Sequence, residues 1–502
     1  MKRFLFSWLY CSFFFTSLFA QQYSELWGKN GEKWNPVSRL PDFSYAGYHS
    51  GEEEIPELPV KANVKDFGSV GDGLSNDTEA FQKALQSVSN GAILVPEGTY
   101  KITDRLLIDK SNVVLRGENR DKTILYFPWY LNDIDPNWGA TTSGRPTSNY
   151  SWAGGYIHLA GDFGQETLTQ IAEVAQRGDT EIEVKDASGL TEGQFIEVYL
   201  TDTEEHTLLN FLYAGDPSET DRYNRIATTS QVVRIVEIKN NTITIDRPLR
   251  FQTDQQWQPE VRTFAPTVQE SGVENLTFLF PAPPYEGHFT ELGHNAIAMS
   301  KVAHCWVRNI RIKNSDSGIF LSGRFCTVDG VIFESERAKE PQRQSTGHHA
   351  IYIGDDDNLF TNFLFRTKFI HDISVSHCAG NVISEGAGVD LCFDHHKRNP
   401  YANLFTNIHL GEGQRMWQSG GGRNLGRHSA AWETFWNIRA LSPQSWNEGY
   451  GPAMMNLVGV EGTPTSETSE KGKWIESIPP AHLYPENLHQ AQLEYRLGKN
   501  EP

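Results

Sequence analysis

Between Asp394 and Phe405 the chain reads DHHKRNPYANLF, placing two histidines, a lysine and an arginine together ahead of an Asn-Pro turn. A second histidine pair opens HHAIYIGDDD (348–357). Histidine titrates near neutrality, lysine becomes a base when burial lowers its pKa, and arginine pairs a carboxylate in a planar fork. These are the groups needed to remove the C5 proton of a uronic acid, neutralise its carboxylate and protonate the departing C4 oxygen. In that chemistry His348 or His396 serves as base, Tyr352 or Lys397 as its partner acid or base, and Arg415 or Arg398 as neutraliser. His349, His395, Arg398, Trp417 and Arg423 are the expected substrate contacts. A glycoside hydrolase would instead need two carboxyl groups across the bond, and Asp355, Asp356, Asp390 and Asp394 could supply them. A non-catalytic carbohydrate-binding protein would use the arginines and aromatics without needing the histidines.

Strand alternation decides which of these side chains can meet. In 348–357, Ile351 and Ile353 are expected to point inward, sending His348, Tyr352 and Asp356 outward. In GVDLCFDHHK (388–397), Val389, Leu391 and Phe393 take the core, leaving Asp390, Asp394 and His396 outside. His349, His395 and Lys397 fall at corners, and His377, which shares parity with Ile373 and Val375, reads as a core or turn histidine. From Lys397 to Arg427 the cations Lys397, Arg398, Arg415, Arg423 and Arg427 face a single acid, Glu412. The segment GEGQRMWQSGGGRNLGR is glycine-rich and lacks core periodicity, which fits a loop bordering a groove.

The elements that carry these residues recur along the chain. Short apolar-alternating strands at 274–280, 304–314, 324–335, 369–378 and 403–411, separated by Gly, Asn, Asp and Ser, have the spacing of solenoid coils with loops of varied length. Upstream, VKDFGSVGDGLSNDTEAFQKAL (64–85) predicts a turn and a helix capped by Asn76 or Asp77, with Ala80, Phe81, Ala84 and Leu85 as its buried stripe. The run V-x-DFG-x-VGDG-x-x-x-DT, followed by AILVPEGTY and VVLRG, resembles the opening of pectate-lyase-superfamily proteins, which include polygalacturonase-related enzymes and phage tailspikes. The resemblance covers residues 60–118, and Asn76 stands where many relatives have Asp. It implies an all-β protein, a right-handed parallel β-helix with a short N-terminal capping helix. It also implies action on or binding of polysaccharide, with a secreted lyase such as an ulvan lyase as the first expectation. The polygalacturonase set of Asn-x-Asp, Asp-Asp, Gly-His-Gly and Arg-x-Lys is not intact.

Residues 167–252 break the rhythm with alternating strands and hairpin signals and read as a small inserted β-rich subdomain, able to wall one side of a groove. The expected plan is a signal peptide over 1–20, an arm over 21–59, β-helix over 60–166 and 253–450, and a C-terminal cap over 451–502. The first twenty residues pair Lys2 and Arg3 with a short apolar run ending at Ala20, the pattern of an export signal. The expected protein is secreted, extracellular or periplasmic, and monomeric. The net charge is -19, and loss of Lys2 and Arg3 lowers it by two, to -21. Such acidity argues against nucleic-acid and membrane partners and leaves an anionic polysaccharide to be met by the local cations. With the arginine-rich patch it favours a sulfated marine polymer such as ulvan, with pectin and alginate open. The four cysteines left after cleavage make no disulfide scaffold, and Cys305 and Cys326 fit stacked thiols as well as a bridge. With no CxxC or HExxH, no metal centre and no required cofactor are expected; calcium at Asp355–Asp357 is the one ion that hard carboxylates would suit.

Overall fold

A computed structural model describes residues 20–499 other than 142, 224 and 225. The expected export signal up to Phe19 therefore lies outside the described residues. No helix among them is long and apolar enough to cross a membrane.

The chain winds as a right-handed parallel β-helix, the hand that parallel crossovers in one sheet adopt. One face is a seven-stranded parallel sheet of β1 (Leu106–Ile108), β2 (Ile157–Ala160), β3 (Asn295–Ala303), β4 (Ser317–Arg324), β5 (His349–Ile353), β6 (His371–Val375) and β7 (Phe393–His395), stacked in chain order. An 18-stranded sheet makes the other faces. It turns a corner where the strand Trp306–Lys313 pairs through its first half with Gly272–Glu274 and through its second with Thr277–Leu279. Asn275, Asn309, Asn362, Asn407 and Asn437 line that corner with φ of 52 to 59°, the left-handed region that asparagine tolerates. Asn309 Nδ2 donates to Asn275 Oδ1 at 2.8 Å, tying one coil to the next.

Inside, side chains stack in register. Ile157, Ile297, Ile319, Ile351, Ile373 and Phe393 make one inward row, and Leu159, Met299, Leu321, Ile353 and Val375 make the next. All are essentially inaccessible, and burial of each such side chain stabilises by about 1.5–3 kcal/mol. A second, buried asparagine ladder runs at another corner. Asn358 Nδ2 donates to Asn381 Oδ1 at 3.1 Å, Asn381 Nδ2 to Asn403 Oδ1 at 2.9 Å and Asn403 Nδ2 to Glu433 Oε1 at 2.7 Å. Asn381→Ala strands the buried Asn358 amide, which donates to Asn381 Oδ1 at 2.8 Å, at a cost of about 1–3 kcal/mol. The expected result is a clear drop in thermal midpoint with unchanged far-ultraviolet dichroism; a midpoint within a degree or so of the parent would contradict the ladder's role.

The helix Thr78–Ser87 buries Ala80, Phe81, Ala84 and Leu85 as its periodicity predicts. Its N-cap is Asp77, but that carboxylate turns away to accept from the Ser69 hydroxyl and the Val70 and Gly71 amides. Asn76 instead accepts from the Thr78 amide at 3.2 Å. The inserted subdomain is an antiparallel six-stranded sheet that extends past 252, because Glu260–Thr263 pairs with Phe195–Thr201 and Thr167–Gln170. Coils also continue beyond 450, through Asn456–Val460 and Trp474–Glu476. The arm packs Leu26, Trp27 and Phe43 against Trp436, Val458 and Leu488 of the last coils and the C-terminal helix Leu488–Arg496. Cys305, Cys326, Cys378 and Cys392 are buried free thiols.

Candidate active site

The outward face of the seven-stranded sheet carries a continuous row: Leu107, His158, Ala298, Phe320, Tyr352, Ser374 and Asp394 stand in register on β1 to β7. At its C-terminal end the row becomes polar. The Ser374 hydroxyl donates to Asp394 Oδ2 at 2.8 Å, the Gly420 amide donates to Oδ1 at 2.6 Å, and His396 Nδ1 pairs with Oδ2 at 2.8 Å. Asp394 is fully buried, whereas the His396 side chain keeps 30% of its surface, so this dyad presents one imidazole to solvent. Gly420 must be small here: a Cβ would stand 2.5 Å from His396 Cε1 and 2.8 Å from His371 Cε1.

Beside the dyad, Tyr352, Ser322, Ser376, His377 and Arg398 line a cleft of about 290 Å³. Ile226 and Thr228 of the inserted subdomain form its far wall. Lys397 and Arg398 follow His396 with φ of 61° and 63°, a turn that leaves Arg398 exposed and Lys397 half-buried.

The charge states follow from these surroundings. Burial opposes charge on His396, but the attraction and hydrogen bond of Asp394 prevail and raise its pKa. Burial lifts the Tyr352 hydroxyl above its ordinary value despite Ser376 and Arg398, keeping it a neutral phenol. Burial lowers the Lys397 ammonium, against the pull of Glu219.

Behind the dyad lies a packed group of imidazoles. His349 stacks on His371 with ring centroids 4.9 Å apart, and His348 sits 4.1 Å from His349 and 4.5 Å from His288. Burial, reinforced by neighbouring imidazoles, holds His348 and His349 well below the usual histidine value. Burial also takes His371 down to about 4 and His288 to about 3. One ring nitrogen from each of His288, His348 and His371 lies within 4.8 Å of the others, and a second such group joins His371, Asp394 and His396.

Several expectations need correction. His395 is fully buried in register with Val375, its ring 5.3 Å from Phe405 and its Nδ1 bonded to the Tyr450 hydroxyl, so it lines the core rather than the substrate. His348 is 2% exposed behind His288 and His349 and cannot act as a base on a polymer in the cleft. Arg415 spends its donors internally: Nε on the Asp390 carbonyl at 3.0 Å, Nη1 on the Phe369 carbonyl at 3.0 Å and Nη2 on Asp372. It staples coils together instead of neutralising a ligand. Trp417 packs against Phe435 and Tyr450 at the rim of the core, with centroids at 5.1 and 4.6 Å. Arg423 is exposed on the glycine-rich loop, outside the cleft lining. His349 faces the dyad rather than a corner, its Nδ1 3.0 Å from the Ser374 hydroxyl.

The carboxylates move too. Val389 is 40% exposed and Asp390 2%, the reverse of strict alternation, because Asp390 accepts from the Gln414 amide and the Lys368 ammonium. Asp355 pairs with Arg324 at 2.7 Å, and Asp357 pairs with Arg247 and Arg250. The charge a calcium ion would neutralise at Asp355–Asp357 is thus already matched by arginine.

Sequence reasoning missed His288 and His371, and it read His377 as a core or turn histidine without placing it at the cleft. His288 lies in the aperiodic 281–294 loop, and His377, at φ 51°, faces the cleft from a turn. Ala350 and Ile351 both join the core, which breaks alternation just where His349 must turn outward beside His371. A signal was present only in the count of histidines near one another in sequence.

Residues 61–128 match a family model described as "Rhamnogalacturonase A/epimerase, pectate lyase-like", and residues 370–501 match one described as "Domain of unknown function (DUF4955)". Over 118 residues the chain is 30% identical to Plasmin and fibronectin-binding protein A of Streptococcus pneumoniae, covering 21% of this chain and 16% of that protein. Over 75 residues it is 38% identical to Alginate lyase 7 of Azotobacter vinelandii, covering 13% and 9%. The chain thus spans less than a fifth of the length of either relative. Among solved structures it is similar to the Gp54 tailspike of Acinetobacter baumannii bacteriophage AP22 in complex with capsular saccharide, with TM-score 0.43, 10% identity and coverage of 79% and 57%. It is also similar to an exopolygalacturonase from Thermotoga maritima, with TM-score 0.37, 10% identity and 81% of each chain covered. The match over residues 61–128 falls on the opening coils and includes the VKDFGSVGDG run.

Proposed function

We propose that this protein, with its pectate lyase-like opening coils, is a secreted polysaccharide lyase that cleaves an anionic uronate-containing polysaccharide by β-elimination in the cleft beside Tyr352. The observation that carries this reading is the placement of Tyr352 in one outward row with Asp394 of the Asp394–His396 dyad, with Arg398 in the same cleft and Lys397 preceding it in the turn. Arg398, exposed at the cleft, pairs the uronate carboxylate and makes the C5 proton more acidic. Lys397, whose pKa burial lowers, is the group best suited to accept that proton. Tyr352, a neutral phenol, and His396, whose pKa is raised by Asp394 against the opposing effect of burial, are the donors available to the departing O4. Ulvan, a sulfated uronate polymer, is the first substrate to test, with pectin and alginate as parallel arms.

The test is a panel of these polymers followed by the ultraviolet absorbance of unsaturated uronate products. If Lys397 is the base, activity rises with pH along a limb set below the ordinary lysine value, since the amine must be neutral. Lys397→Arg is expected to abolish that limb and reduce turnover by roughly 10²-fold or more. A parental pH profile in that variant rules Lys397 out.

One observation favours a hydrolase. Burial, with Asp355 nearby and despite Arg324, pushes Asp356 up to about 6, and Asp355, Asp356 and Glu197 line an adjoining cavity of about 170 Å³. A carboxyl raised by burial among other carboxyls is the kind of group a glycosidase uses as its acid. New reducing ends without the unsaturated chromophore would select this reading over elimination.

A further inference from the structure

We propose that His288, His348 and His371 form a three-histidine site for one divalent transition-metal ion, zinc by preference. Imidazole is the ligand type these ions share, while calcium and magnesium take oxygen. One ring nitrogen from each residue already lies within 4.8 Å of the others. At a metal–nitrogen distance of about 2.0–2.1 Å, tetrahedral ligand atoms stand roughly 3.3 Å apart, so modest side-chain movement closes the site.

The clearest sign is an unsatisfied donor set. Nε2 of His371 is buried without a hydrogen-bond partner among the described residues, and so is Nδ1 of His348. Buried polar nitrogens are almost always paired, and an orphaned imidazole lone pair among other imidazoles is what a metal site looks like before the ion enters. The surroundings match the shell that usually orients metal-bound histidine. Asp394 Oδ2 lies 3.2 Å from Nδ1 of His371, and Glu291 Oε2 lies 3.7 Å from Nδ1 of His348. A carboxylate beside Nδ1 of His371 leaves its orphaned Nε2 free to coordinate. His288 is the partly exposed member, on the 281–294 loop, which leaves a fourth position open to water or ligand as in catalytic zinc sites. Where the elimination reading holds, an ion here adds positive charge a few ångströms behind the dyad; its binding does not depend on that reading.

The experiment uses the full chain without a polyhistidine tag, stripped with chelator and titrated with Co²⁺ alone, then challenged with Zn²⁺. The expected result is one equivalent of cobalt per chain with the visible bands of a low-coordinate nitrogen site, displaced by zinc. His288→Ala, which truncates a partly exposed side chain, is expected to weaken uptake at least tenfold with an unchanged far-ultraviolet dichroism spectrum, while His396→Ala retains it. Absence of saturable uptake by the parent overturns the proposal. So does uptake unchanged in His288→Ala, or lost only in His396→Ala, which would move the ion to His371, Asp394 and His396. Because the readout is cobalt absorbance, a protein that binds the ion but cleaves no uronate polymer overturns the lyase reading alone.

Discussion

His396→Ala is expected to lower uronate elimination by about 10²–10⁴-fold, the range for loss of a positioned proton-transfer group. The ring is the dyad's solvent-facing member, bonded through Nδ1 to Asp394, which itself is locked by Ser374 and Gly420. The loss should fall on kcat, with KM for the polymer changed only a few-fold, because Arg398 and the cleft walls remain. Folding should be little affected, since the side chain is partly exposed and Asp394 keeps its bonds from Ser374 and Gly420. Asp394→Asn is expected to reproduce most of the kinetic loss through misorientation of the ring and loss of the carboxylate that raises its pKa. Free imidazole should restore part of the rate to His396→Ala and none to Asp394→Asn. Full activity in both variants would place the chemistry elsewhere, with the cavity at Asp356 the next place to look.

The second large effect concerns stability. Arg324→Ala is expected to cost about 3–5 kcal/mol, the usual penalty for removing one partner from a buried ionic cluster. Arg324 stands on β4 of the solenoid, while Glu197 and Ser230 belong to the inserted subdomain. Its Nη2 reaches Ser230 Oγ at 2.9 Å and Glu197 Oε1 at 3.1 Å, and its Nε reaches Asp355 at 2.7 Å. The guanidinium is thus a principal charge joining the two bodies, and its loss leaves Glu197, Asp355 and Asp356 without their shared cation. Denaturation should show an earlier transition for the subdomain, detectable as limited proteolysis within 167–263. Arg324→Lys should recover only part of the loss, because an ammonium cannot serve Asp355, Glu197 and Ser230 in one plane. A single parental transition in Arg324→Ala would mean that Arg247 and Arg250, paired with Asp357, hold the interface unaided.

Much of the architecture was legible because its causes are local. Apolar alternation placed the coil strands, left-handed asparagines marked the corner that stacks Asn275 on Asn309, and the 78–87 helix buries its expected stripe. The outward placement of Tyr352, Asp394 and His396 followed from the same alternation. It failed where two neighbouring residues, Ala350 and Ile351, both turn inward, and where Asp390 found internal partners that outweighed its preference for water. Arg415 and Trp417 misled for a related reason: a cation or an aromatic reads alike whether it meets a ligand or a neighbouring coil.

By itself the sequence determined a parallel β-helix with an inserted β-rich body and an outward row holding Tyr352 and Asp394, because side-chain alternation and turn conformation depend on adjacent residues. Only the tertiary structure decided that His288 from a loop meets His348 and His371, and that Arg324 gathers acids from two bodies. Those meetings depend on how coils separated by loops of unequal length come into register, and contacts made across coils leave no periodic trace in the chain.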